Sequence, residues 1–188
     1  VVREEKLCPF SGRCSGIGTY MTTIVRAINA GDLAAVRDLL GEYLAWVVAE
    51  AKIHYGMELD GQAALEYSLG DIETYLSSRG RVFLAQEDEG PAGIAFMREI
   101  RANVGEIKRM YVRPAYRGRK IGQGLIKRLI EDAGDLGFSA LLLDSTQFMA
   151  SAHALYRAAG FTDTDAYPEA EDHGALTEFV IHMKYELP

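Results

Sequence analysis

Residues 113–126, RPAYRGRKIGQGLI, set Gly118, Gly122 and Gly124 among Arg113, Arg117, Arg119 and Lys120. Glycine lets a backbone approach a ligand closely and turn its N–H groups outward. Where such a stretch passes from strand to helix, unpaired N–H groups and the positive end of the helix dipole are added. Between Ile107 and Ile130 there is no acidic residue, yet eight of the chain's 20 lysines and arginines lie there. These features describe a phosphate or pyrophosphate site with Arg117, Arg119 and Lys120 as charge partners. The plainer alternative is a solvated basic turn whose glycines only start a helix.

Two common nucleotide motifs do not fit. A P-loop needs Gly-Lys-Ser/Thr, which the stretch lacks. A dinucleotide fingerprint needs a third glycine at position 127, where lysine stands. The pattern Arg119-x-x-Gly122-x-Gly124, within EIKRMYVRPAYRGRKIGQGLI, instead resembles the acyl-CoA signature of the GNAT (GCN5-related) N-acetyltransferases. HALYRAAGF at 153–161 is similar to that family's second signature, a tyrosine-bearing helix closed by Gly-Phe. The resemblance extends over essentially everything beyond the first twenty residues.

The resemblance implies acetyl transfer from acetyl-CoA to an amine, with no metal. It implies that the strand before the loop splays from a parallel neighbour. The backbone of Met110, Tyr111 and Val112 would then bind the pantetheine arm. The N–H groups of Arg117, Gly118, Arg119, Lys120, Ile121, Gly122 and Gly124 would hold the pyrophosphate. Tyr156 matches the family's general acid, and its ordinary pKa of about 10 lies not far above that of a thiol, about 8.5. Glu106 matches a base that deprotonates the amine through water, with Asp144 as rival. Packing alone would also explain Tyr156, and pairing with Lys108 or Arg109 would explain Glu106. Met149 stands where many members carry asparagine, leaving Ser145 and Thr146 as substitute hydroxyls. A non-catalytic acyl-CoA-binding module of the same fold is the alternative function.

These residues need a scaffold, and the pattern supplies one. A weakly alternating strand at 22–28 is followed by a helix over 33–54, with Asp32 as its N-cap. A segment at 61–69 precedes a short helix at 71–78. Strands are expected at 81–86, 91–100 and 105–112, and a buried strand at 140–143. An amphipathic helix follows the glycine loop, another covers 149–159, and TEFVIHMKYEL alternates as a last strand. The fold class is therefore α/β (α+β), and the resemblance makes it a single mixed, mostly antiparallel sheet with a central V-shaped splay and flanking helices.

Acceptor selectivity is expected from the first two helices and the end of the chain. These carry Tyr43, Trp46, Glu50, His54, Tyr55, Tyr75, Tyr167, Glu169, Glu171 and His173. Acidic and aromatic groups there would suit a cationic amine, small or on a peptide.

The bulk numbers bound the rest. The 188 residues, 48% hydrophobic and 25% charged, fit one compact domain over 21–188. Residues 1–20, holding Cys8 and Cys14, are expected to be an extension ahead of Met21, since two cysteines do not complete a zinc site. A net charge of −7 argues against nucleic-acid binding. No apolar run reaches the roughly 18 residues of a membrane span. A cytoplasmic enzyme, able to form a homodimer, is the expectation.

Overall fold

The computed structural model describes residues 22–188, so Cys8, Cys14 and the expected extension lie outside the described residues. The chain opens with strand β1 (Thr23–Arg26) and three helices, α1 (Ala30–Tyr55), α2 (Gly61–Gly70) and α3 (Ile72–Leu76). Strands β2 (Arg81–Glu87), β3 (Gly90–Arg101) and β4 (Val104–Val112) follow as a meander. The glycine loop leads into α4 (Ile121–Asp135), then β5 (Ala140–Thr146) and α5 (Ala150–Ala158). Strands β6 (Thr162–Thr164) and β7 (Val180–Glu186) end the chain.

The seven strands form one sheet in the order β1-β2-β3-β4-β5-β7-β6. All neighbours are antiparallel except β4 and β5, whose parallel register runs only from Val104–Ala140 to Ile107–Leu143. Beyond Ile107 the two strands part, giving the expected splay.

Alternation along the strands builds two cores. Phe83, Ala85, Met97 and Ile107 share a cluster with Leu125 and Leu129 of α4, Tyr156 of α5 and Phe161 just beyond it. Val82, Leu84, Ile94 and Phe96 face α1 and α3, against Val36, Leu39, Leu40 and Tyr75. Each fully buried Leu, Ile or Phe contributes roughly 1.5–3 kcal/mol. Together they fix both helix layers on a sheet that only the splay interrupts.

Local details correct several expectations. Helix α1 begins three residues earlier than its apolar stripe, because Asn29, not Asp32, is the N-cap. Asn29 Oδ1 accepts from the Asp32 N–H at 2.9 Å. Residues 61–70 are a true helix, capped by Asp60 Oδ1 accepting from the Gln62 and Ala63 amides at 3.0 Å. The last strand starts at Val180, after a 3-10 turn at Gly174–Phe179. There the Phe179 carbonyl accepts from the Gln147 N–H at 2.8 Å, and its ring stacks on Tyr55 at 4.0 Å. The first contact continues the β5–β7 ladder by one residue, and the second ties the segment to α1. The edge strand β6 was not foreseen, being three exposed residues.

Strand β4 carries one extra residue relative to β3, between the pairs Ile94–Tyr111 and Phe96–Lys108. Arg109 takes the surplus with φ of +51°. A non-glycine residue there costs roughly 1–2 kcal/mol, offset by a two-pronged ion pair to Glu171 at 3.1 and 3.2 Å. The bulge reverses which face later side chains take.

Candidate active site

The splay opens a chamber of about 390 Å³ between β4, the glycine loop and the start of α5. Helix α4 makes its first internal hydrogen bond from Gly124 N–H to the Lys120 carbonyl, at 3.0 Å. The amides of Ile121, Gly122 and Gln123 precede that bond and need other acceptors. All three residues line the chamber, beside Lys120 and Arg117. Uncommitted donors, two cations and a helix start are thus concentrated at one wall.

The three glycines serve different ends. Gly118 has φ of +82°, which a turn into the helix requires. Gly122 faces the chamber, where a Cβ would stand 3.0 Å from Leu155 Cδ2. Gly124 does not line the chamber; a Cβ there would meet Ile24 Cδ1 of β1 at 2.8 Å. Arg119 is also directed elsewhere, with Nη1 at 3.4 Å from Glu87 and 3.5 Å from Glu89, and its guanidinium over Tyr116.

Met110, Tyr111 and Val112 line the chamber on the unpaired edge of β4. The Val112 carbonyl already accepts from Arg117 Nε at 3.1 Å. The Tyr111 ring packs at 5.8 Å from Tyr43 of α1. Trp46, expected on the acceptor side, stands in this first chamber with Arg117 over its ring at 5.8 Å.

A second chamber, about 320 Å³, lies on the other side of the splay under α1 and α2. It shares Met110, Met149, Ala152 and Tyr156 with the first. Tyr156 is 6% exposed, and burial first, then Tyr43 and Asp144, push its phenol well above the ordinary value. It therefore stays protonated at any working pH.

The second chamber's polar wall is a dense ion cluster. Lys108 Nζ sits 2.6 Å from Asp144, 3.2 Å from Glu171 and 3.5 Å from Glu106. His173 Nε2 lies 3.1 Å from the same Asp144 oxygen. Burial would raise the Asp144 pKa, but the His173 hydrogen bond and the Lys108 charge hold it well below the usual carboxylate range. Glu171 is likewise held low by Arg109 and Lys108 against its burial. Thr146 also lines this chamber, and its Oγ1 is the buried side-chain polar atom left without a partner among the described residues. Ser145 is committed, with Oγ at 3.0 Å from His153 Nε2.

Glu106 is fully buried and lines neither chamber. One oxygen accepts from Arg98 Nε at 2.9 Å, the other from the Tyr167 hydroxyl at 2.7 Å. Burial and the neighbouring Glu106 charge push the Tyr167 phenol far up, so it remains the donor. Of the acceptor-side candidates, Tyr43, Glu171 and His173 line the second chamber. Glu169 instead pairs with Arg101, and Glu50 accepts from Trp46 Nε1.

Residues 38–161 match the family model described as the acetyltransferase (GNAT) family. The chain belongs to this family. Among curated relatives, an uncharacterized N-acetyltransferase of Schizosaccharomyces pombe is 30% identical over 83% of this chain and 89% of its own length. Solved GNAT structures share the fold. One from Staphylococcus aureus superposes with a TM-score of 0.71 at 20% identity, covering 89% of this chain and all of its own. The PaiA N-acetyltransferase of Thermoplasma acidophilum, in complex with coenzyme A, gives 0.67 at 19% identity, covering 89% and 99%. Among the described residues no helix is long and apolar enough to cross a membrane.

Within this GNAT chain, sequence reasoning missed Gln123 and Phe148 in the first chamber and Lys108 in the second. Gln123 was readable, since it falls inside the glycine motif. Lys108 was named only as an ion partner for Glu106, and its place in the chamber wall comes from tertiary packing.

Proposed function

We propose that the protein is an N-acetyltransferase that transfers the acetyl group of acetyl-CoA directly to a primary amine. The observation that carries this is the shared wall: two chambers of unlike chemistry meet at Tyr156. The donor would occupy the first chamber. The Ile121, Gly122 and Gln123 amides, with Lys120 and Arg117, suit its pyrophosphate. Met110, Tyr111 and Val112 offer backbone and apolar surface to the pantetheine arm, and Gly118 sets the turn. Arg119 and Gly124 act from behind, holding the loop and seating the helix on β1. The coenzyme A held by the PaiA relative supports the same donor.

The amine would enter by the second chamber. Its neutral nitrogen attacks the thioester carbonyl carbon and the carbon–sulfur bond breaks. Tyr156 gives its proton to the departing sulfur, and the proton shed by the new amide nitrogen restores the phenol. A phenol raised by burial remains a usable acid because the same dry wall raises the thiol too. We assign Glu106 to anchoring Lys108 and Tyr167, since it lines neither chamber and its oxygens are engaged by Arg98, Tyr167 and Lys108. Thiol release from acetyl-CoA across a panel of amines tests the reading. Binding of acetyl-CoA with no release for any amine would overturn it in favour of a non-catalytic module.

A further inference from the structure

With Glu106 lining neither chamber and its oxygens engaged, the proton that an incoming ammonium must lose has no assigned destination. An alkylammonium, with pKa near 10.4, is almost wholly charged at neutral pH and cannot attack until it is deprotonated. The acceptor has to lose that proton inside the second chamber, so the receiving group must stand on its wall.

Most titratable groups there are spoken for. Lys108 is ringed by the carboxylates of Glu106, Asp144 and Glu171. Glu171 is clamped by Arg109 and Lys108. Asp60 caps α2, and Asp172 Oδ1 accepts from the Gly174 amide at 2.8 Å. Tyr43 is pushed up by burial and stays neutral. His173 differs: its Nε2 faces the Asp144 carboxylate at 3.1 Å. An ionised Asp144 can only accept, so the bond places the hydrogen on Nε2 and leaves Nδ1 with its lone pair. The charged groups that share this wall with His173 are Asp144, Glu171, Asp172, Lys108 and Arg109, and burial lowers the pKa of the nearby His182 on β7.

The wall also has a sign. Asp60, Asp144, Glu171 and Asp172 outnumber Lys108 and Arg109, leaving an excess of negative charge for a cation to satisfy. A carboxylate on the acceptor would meet repulsion there.

We infer that the second chamber receives a cationic amine without a carboxylate, and that His173, oriented by Asp144, takes its proton. This rests on the acetyltransferase reading. In the step, an N–H bond of the ammonium breaks, Nδ1 of His173 gains the proton directly or through one water, and the imidazolium later releases it to solvent. His173 is a catalytic residue in this account, and Asp144 a positioning residue acting through it.

The test compares wild type, His173→Gln and Asp144→Asn by thiol release from acetyl-CoA. The acceptors are a short unbranched diamine, trifluoroethylamine, which is mostly neutral at pH 7, and L-aspartate. His173→Gln should lose about 100-fold or more in kcat/KM with the diamine and much less with trifluoroethylamine, which needs no base. Asp144→Asn should follow the same pattern with a smaller loss. L-Aspartate should be at least about 10-fold poorer than the diamine for wild type. Equal losses with both basic and neutral amines would mean a purely structural role and overturn the assignment, as would an unaffected His173→Gln. L-Aspartate turned over as well as the diamine would overturn the substrate class. Wild type that binds acetyl-CoA yet acetylates no amine would sink the acetyltransferase reading together with this one, whereas an active wild type with indifferent variants sinks this one alone.

Discussion

The first chamber draws nearly all its wall from two short stretches, residues 110–123 and 148–156, with Trp46 as the outlier. The second collects residues from α1, α2, β4, β5 and the 171–180 segment, more than a hundred positions apart in sequence. Their chemistry differs as much as their assembly. Amides, lysine and arginine dominate one polar surface, and carboxylates the other. A ligand bearing phosphates can be held by a local backbone shape, because the helix start supplies the donors. A small amine offers no such handle, so its site must be assembled by tertiary packing and tuned by charge.

The strongest way to break this comparison is to cut the residue both chambers share. Tyr156→Phe should lower kcat by about 100-fold or more, with acetyl-CoA affinity unchanged by calorimetry. The ring would still pack against Phe161, 5.8 Å away, so the fold should persist. Full activity in this variant would separate the chambers from the chemistry.

A pair of glycine variants sharpens the donor side. Gly122→Val projects into the first chamber beside Leu155 and should weaken acetyl-CoA binding by about 10-fold, or 1.4 kcal/mol. Gly124→Val collides instead with Ile24. It should cost about 1–3 kcal/mol of stability, seen as a lower Tm, while acetyl-CoA affinity is kept. The same outcome for both would contradict their separate roles.

The smallest effect belongs to the acceptor side. Thr146→Val removes a buried hydroxyl that has no partner among the described residues. Stability should hold or rise, by up to about 1 kcal/mol, while KM for the amine increases modestly. A clear loss of Tm would show that the hydroxyl serves the fold rather than a substrate.

The same contrast explains what the sequence could reveal. The strands, the family and the glycine loop were legible because each rests on local pattern: alternation in 81–86 and 91–100, or the spacing of Arg119, Gly122 and Gly124. The mostly antiparallel sheet followed from the resemblance. What the loop's spacing could not show is where the flanking groups point: the Arg119 side chain faces Glu87, and a Gly124 Cβ would meet Ile24. Glu106 shows the limit more sharply. Its position in the strand was correct, but its partners Arg98 and Tyr167 come from β3 and a distant loop. The bulge at Arg109 then sets which way Met110, Tyr111 and Val112 point, and nothing in IKRMY announces a positive φ on an arginine. His173 was visible as one acidic-loop histidine among several candidates. Only its bond to Asp144 distinguishes it.

The central claim is direct transfer across the wall at Tyr156, and initial-rate thiol release with acetyl-CoA and amine both varied tests it most directly. Direct transfer requires both chambers filled at once, so the double-reciprocal lines should intersect and acetyl-CoA alone should release no thiol. Parallel lines, with thiol released before any amine is added, would contradict it.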